Sequence, residues 1–249
     1  MHKRMGDTTL RDILAEFVGK PPGEVGVVII HLHRAVEREA SILEMERVLG
    51  GHPIEVFDAI EGGAMIRAGH PVQYASVPAE TRTVGEVGCL VSHIEVARRA
   101  LREEKSHMMI FEDDCIPGSE FSLEGIRTYL RQVREFSDTF SFEGASEFLL
   151  FGTCGCYTWK HLTNDIKATD RFNGSHCYFI GRPMMEKLIG VYEYLLGREK
   201  IVPFDELLGL LLRSHGRWAL CPTNEIGFFV QNRAIPSYLL GDEVSMRSE

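Results

Sequence analysis

The stretch Val25-Gly-Val-Val-Ile-Ile30 has no polar side chain and is almost wholly β-branched. Such a run fills a strand covered on both faces, and so commits the chain to a sheet sandwiched between helices. The following segments agree. Arg34 to Leu49 sets Val36, Ile42, Leu43, Met45 and Val48 among charges and stops at Gly50-Gly51, which reads as a helix. Pro53-Ile-Glu-Val-Phe57 reads as a second strand, and strand, helix, strand is the βαβ signature of a mainly parallel sheet. Val87, Leu90, Val91, Ile94, Ala97 and Leu101 stand at helical spacing over 85–104, ahead of a buried strand at 107–111. A polar helix over 122–136, short strands at 148–151, 177–180, 218–220 and 227–230, and helices over 183–196 and 204–213 complete the reading. Residues 58–84, rich in Gly, Pro, Ala and Thr, read as an irregular loop of functional or lid type. Thr8-Thr9-Leu-Arg-Asp12 caps a short helix ended by Gly19 and Pro21-Pro22-Gly23. The expected organisation is a helical extension over 1–24, one α/β domain over 25–240 and a tail over 241–249.

Composition narrows the function. The 249 residues suffice for one large domain, and 44% hydrophobic with 25% charged residues excludes long disorder and fibrous repeats. A net charge of −9 argues against wrapping a phosphate backbone, so no stable nucleic-acid binding is expected. No apolar stretch backs the charged N-terminus, and the runs at 25–30 and 207–212 fall far short of the roughly 20 residues of a membrane span. A cytoplasmic protein is expected, with peripheral contact at the inner membrane surface left open. Cysteines 89, 115, 154, 156, 177 and 221 read as reduced thiols, and Cys154-Gly155-Cys156 lacks the second pair that a structural zinc needs.

Chemistry concentrates where Met108-Met-Ile-Phe111 runs straight into Glu112-Asp113-Asp114. Carboxylates at the carboxyl end of a central strand sit where open α/β sheets bind ligands, and oxygen donors suit Mg²⁺ or Mn²⁺. A solvated acidic loop is the plainer reading of the triplet alone. Gly85-Glu-Val-Gly-Cys-Leu-Val-Ser-His93, one helix upstream, changes the balance. This ordered pair resembles glycosyltransferase family 25, the lipooligosaccharide and procollagen galactosyltransferase group, whose members carry G-E-x-G-C-x-x-S-H and L-E-D-D at this separation. Val28–Arg34 with Arg38 is similar to the family's V-I-N-L-D-R-x-x-x-R, and Ala59-Ile-Glu-Gly62 to its A-x-D-G turn. Gly174–Ile180 with Met184–Leu188, Pro203-Phe-Asp205, and Gln231 with Ser237 extend the likeness over about 25–240. Three positions depart: His31 and His33 replace Asn and Asp, and Glu61 replaces Asp.

The resemblance implies a GT-A-like fold and transfer of a hexose, typically galactose, from a UDP-sugar to a glycan or glycolipid hydroxyl with inversion. It implies a divalent ion, Mn²⁺ or Mg²⁺, on Asp114 and Asp113, with Glu112 facing the sheet or supporting a ligand. His31, Leu32, Arg34, Arg38, Glu61, Gly62, Gly88, Ser92, His93 and Gln231 are the expected donor-binding positions. Arg34 and Arg38, at i, i+4, would present guanidinium forks to the phosphates, unless Arg38 lies on a solvated helix face. Asp205 is the candidate base for the acceptor hydroxyl, with Glu206 as substitute and a helix N-cap as its structural alternative. Ser92 and His93 do not face each other on a helix and read as hydrogen-bonding groups near the donor, with a satisfied buried histidine the alternative for His93. Tyr178 and Phe179 read as core rather than acceptor platform. Two other classes stay open: a nucleotide-sugar binding module without catalysis, motivated by His31 and His33, and a metal-dependent phosphoryl hydrolase, which leaves 85–93 unexplained.

Overall fold

A computed structural model describes residues 8–51, 54–75, 83–119, 121–140, 147–223 and 227–232. In chain order these form α1 (Leu10–Val18), β1 (Val25–His31), α2 (Glu39–Val48), β2 (Glu55–Asp58), α3 (Gly62–Arg67), α4 (Val84–Arg102), β3 (His107–Glu112) and β4 (Cys115–Pro117). There follow α5 (Leu123–Phe140), β5 (Phe148–Gly152), β6 (Gly155–His161), β7 (Ile166–Asn173), β8 (Cys177–Gly181), α6 (Arg182–Leu196), α7 (Phe204–Ser214), β9 (Ala219–Pro222) and β10 (Phe229–Gln231). Ser237 and the expected tail lie outside the described residues.

The main sheet has the order β2-β1-β3-β8-β5-β9-β7-β6, with β10 and β4 as a separate antiparallel ribbon. Following the pairings across the sheet, six of the eight strands point one way and β8 and β7 the other. The mostly parallel sheet between helical layers is the architecture expected from the βαβ pattern. Strand alternation explains the unbroken apolar runs. Val28 and Ile30 of β1 face a core built with α4, α6 and α7, while Val25, Val27 and Ile29 face the other, built with α1, α2 and α5. The N-terminal helix belongs to that second core: its capping box of Thr9 and Asp12 starts a helix whose Leu10, Ile13 and Leu14 are buried there.

Besides the short strand β4, which the sequence reading does not contain, three segments differ from it. The helix expected from Arg34 begins only at Glu39, after a 3₁₀ turn at Val36–Arg38. The loop over 58–84 contains α3. The hairpin β6–β7 has no counterpart in the reading, because its outward residues are polar or aromatic and no apolar period marks it.

Candidate active site

β1 and β3 are parallel and in register, Ile30 opposite Glu112, so their carboxyl ends open on one edge of the sheet. The N-termini of α4 and α7 and the segment before β8 converge on the same edge and enclose a cleft of about 430 Å³. Of the site positions expected from the sequence, Leu32, Arg34, Arg38, Glu61, Gly62, Gly88, Ser92, His93, Glu112, Asp113, Asp114, Asp205, Glu206 and Gln231 all line it. His31 alone stands behind the wall.

The three acidic residues point three ways. Asp113 is buried, and both its oxygens are engaged by the chain. Oδ1 takes the Arg38 guanidinium, and Oδ2 accepts from His31 Nδ1–H at 3.0 Å and the Leu32 N–H at 3.1 Å. It therefore acts as a strut between β3 and the loop after β1, with both oxygens engaged by the chain, whereas the sequence expectation has it share a cation with Asp114. Asp114 accepts from Gln231 Nε2 at 3.0 Å through Oδ2 only. Its Oδ1 is buried, and among the described residues no donor reaches it. Burial, and then the nearby Glu112 charge, push the Asp114 carboxyl up to about 6. A buried, unpartnered carboxylate oxygen is the atom a hard divalent cation takes. Glu112 turns to His93, whose Nε2–H donates at 3.3 Å. Burial alone would raise the Glu112 carboxyl, but the His93 hydrogen bond first, and then the positive potential of neighbours that include Arg38, hold it below its ordinary value.

The arginines also separate. Because the chain makes a 3₁₀ turn rather than an α-helical one there, Arg34 and Arg38 do not form an i, i+4 pair. Arg38 is buried against Asp113 and lies 3.8 Å from Asp114, which excludes the solvated-face alternative. Arg34 reaches Glu61 at 3.1 Å at the half-exposed rim.

On α4 the motif residues act mainly as structure. Ser92 Oγ accepts from the Ile60 N–H at 2.8 Å and donates to Gly88 O at 2.7 Å, so its proton is engaged by backbone and the hydroxyl ties the preceding loop to the helix. Gly88 lets the preceding loop lie against the helix: a Cβ there would sit 2.7 Å from Ile60 O, and one at Gly62 would fall 2.8 Å from Gly88 N. Both glycines are packing residues first. His93 is a satisfied buried histidine: Tyr178 O–H donates to Nδ1 at 2.9 Å, and the ring stacks on Phe204 at 3.9 Å. Tyr178 and Phe179 are fully buried core residues.

Asp205 follows the N-cap Pro203 and is not itself the cap. Its Oδ2 accepts from the Gly174 N–H at 3.1 Å and its Oδ1 from the Glu206 N–H at 2.9 Å, which aims the carboxylate at the cleft. Burial raises its pKa above the ordinary value, partly offset by those two bonds. Glu206 accepts from Tyr74 O–H and is exposed. His33 is also exposed and does not line the cleft, so His31 and His33 form no pair. Cys154, Tyr157, Asn173 and His176 line the cleft without having been marked as site residues. For His176 the signal was present, since it falls in the Gly174–Ile180 segment; for Tyr157, on the unread strand β6, there was none.

Residues 25–208 match the model of Glycosyltransferase family 25 (LPS biosynthesis protein). The chain belongs to glycosyltransferase family 25. As a family 25 glycosyltransferase it uses a nucleotide sugar and a glycan acceptor. No curated protein matches it. Similar solved structures include mannose-1-phosphate geranyltransferase from Thermus thermophilus, 9% identical over 74% of this chain and 67% of that one, TM-score 0.36. UDP-glucose pyrophosphorylase complexed with UDP-glucose is 9% identical over 87% and 78%, TM-score 0.36. These likenesses are too slight to bear on function. Among the described residues of this glycosyltransferase, no helix is long and apolar enough to cross a membrane.

Proposed function

We propose that the protein is an inverting hexosyltransferase that moves galactose from UDP-galactose to a glycan or glycolipid hydroxyl with the help of Mn²⁺ or Mg²⁺. The observation that carries this is the Oδ1 of Asp114, without a partner among the described residues, in a cleft that those residues line with seven carboxylates and two arginines. Both arginines are already paired with carboxylates, so a diphosphate entering there brings more negative charge than the chain's own cations offset. Asp114 would hold the ion, with Glu112 beside it. When bound, the ion supplies charge neutralisation to the departing diphosphate.

The chain's own residues do the rest. Arg38 and His31 hold Asp113, and through it the turn that presents Asp114. Arg34, at the rim, is placed to meet a phosphate when it leaves Glu61. Asp205 takes the proton of the acceptor hydroxyl at one carboxylate oxygen. Its two backbone donors fix its orientation, and its raised pKa makes it a stronger base than a solvated aspartate. The N-termini of α4 and α7 add a positive field on the side where negative charge develops. The test is release of UDP from UDP-galactose with Mn²⁺ and a glycan panel. Turnover abolished in Asp205→Asn, with UDP-galactose binding retained, supports the assignment; turnover retained would remove Asp205 from the chemistry.

A further inference from the structure

We propose that the outward face of β6 is the acceptor subsite, a track on which the rings of a saccharide chain stack, entered at Tyr157 and continued by Trp159. This rests on the reading of the protein as a transferase to glycans. Tyr157 is 71% exposed and lines the cleft as well, so the catalytic space opens directly onto this strand. Trp159, two residues on, is 52% exposed, so two large aromatic rings stand in succession along the open stretch of β6 that leads out of the cleft. His161 meets the Trp159 ring edge-on at 4.4 Å with an interplanar angle of 85°, which steadies the indole and leaves much of it to solvent. Lys160, between them, goes the other way, its ammonium 5.5 Å from the Trp218 ring. A pyranose has an apolar face of C–H groups and a polar rim, the surface an exposed aromatic ring accommodates.

Two other occupants fit less well. A second copy added edge to edge would need a regular strand, and the β6–β7 pairing is broken by register shifts between Cys156 and Thr158 and between Thr158 and Lys160. An anionic lipid surface would meet a chain of net charge −9 whose hairpin tip is Thr163-Asn164-Asp165.

The experiment applies the full-length protein, with Mn²⁺ and UDP, to a printed array of galactose-, glucose-, N-acetylglucosamine- and heptose-terminated glycans. The strongest binder is then titrated in solution by tryptophan fluorescence. The chain has two tryptophans, so Trp218→Phe leaves Trp159 as the only reporter. Wild type and Trp218→Phe are expected to bind the same glycan, with an emission shift from Trp159. Trp159→Ala should bind roughly five- to tenfold more weakly at an unchanged melting temperature, and Trp159→Tyr, which keeps a stacking ring, should recover most of the affinity. No glycan bound by wild type, equal affinity in Trp159→Ala, or the emission shift arising on phosphatidylglycerol vesicles instead would each overturn the proposal. Failure to release UDP from UDP-galactose would sink the donor reading and leave the array result standing.

Discussion

Consider Asp114→Asn at pH 7.5 in EDTA. In the folded protein this carboxyl is pushed from its ordinary 3.8 to about 6, by burial first and by Glu112 next. Its folded pKa lies above its unfolded one, so as pH rises through that window the unfolded chain ionises first and stability falls. Above about 6 the deficit is complete, and a rise from 3.8 to about 6 corresponds to about 3 kcal/mol. The isosteric amide removes the charge but leaves an N–H₂ group without an acceptor, which costs about 1–2 kcal/mol. The net expectation is a gain of about 1–2 kcal/mol, or a few degrees in Tm for a chain of this size. Asp113→Asn, one residue away, should do the reverse. It strips the buried Arg38 of its closest partner and leaves Asp114, at 3.8 Å, as a poor replacement, for a loss of about 3 kcal/mol. Urea unfolding of both variants reads the two signs directly. Repeating it below pH 4 should erase the Asp114→Asn advantage, since wild-type Asp114 is then protonated in both states. Added Mn²⁺ should raise the wild-type Tm and leave Asp114→Asn unmoved. Equal destabilisation by the two substitutions, or an Asp114→Asn gain that survives at acid pH, would refute the reasoning from buried charge.

Asp205→Asn is expected to lower kcat for UDP release by about 10²–10⁴ with little change in the Kd for UDP-galactose, checked by steady-state turnover and calorimetry. Gly88→Ala places a methyl 2.7 Å from Ile60 O and should cost about 1–3 kcal/mol in urea unfolding, with reduced donor affinity as the loop shifts. His107, whose pKa burial lowers to about 4, is protonated first in the unfolded chain as pH falls below 6.5. The His107 contribution to stability should therefore drop by about 2–3 kcal/mol between pH 6.5 and 4, against the opposite trend of Asp114, and is read as the difference between the wild-type and His107→Leu profiles over that range.

The βαβ start was legible because β1 is buried on both faces, which leaves an unbroken apolar run that few other elements produce. The acidic triplet was legible as a site because β3 delivers it at a strand end, but its division of labour was not. Which oxygen stays unpartnered depends on Arg38 and Gln231, which lie 75 and 117 residues from the aspartates they bind. Arg34 and Arg38 show the complementary error. A spacing of four implies one helix face only if the chain is α-helical there, and the 3₁₀ turn at Val36–Arg38 removes that premise. Ser92 and Gly88 carry a motif, yet a motif does not say whether a hydroxyl meets ligand or backbone; the Ile60 N–H decides it. The strand β6 escaped because an edge strand with two register shifts buries little and so leaves no period to read.

The departures at His31, His33 and Glu61 bear on whether the site is intact, and the structure gives each a place. His31 does not touch the cleft. Its Nδ1–H supports Asp113 from behind at 3.0 Å, a bond that an asparagine amide donates equally well, so the exchange preserves the strut. His33 points to solvent away from the cleft wall, where neither residue type would meet a donor. Glu61 keeps a carboxylate at the rim and uses its extra methylene to reach Arg34. A binding module that had lost catalysis drew its motive from His31 and His33, and neither of them, nor Glu61, removes a group from Asp114, Glu112 or Asp205. On the proposed mechanism, then, substitution of Asp114, Glu112, Asp205 or Arg38 should impair UDP release more than replacement of His31 by Asn or of Glu61 by Asp, which steady-state turnover of these variants checks.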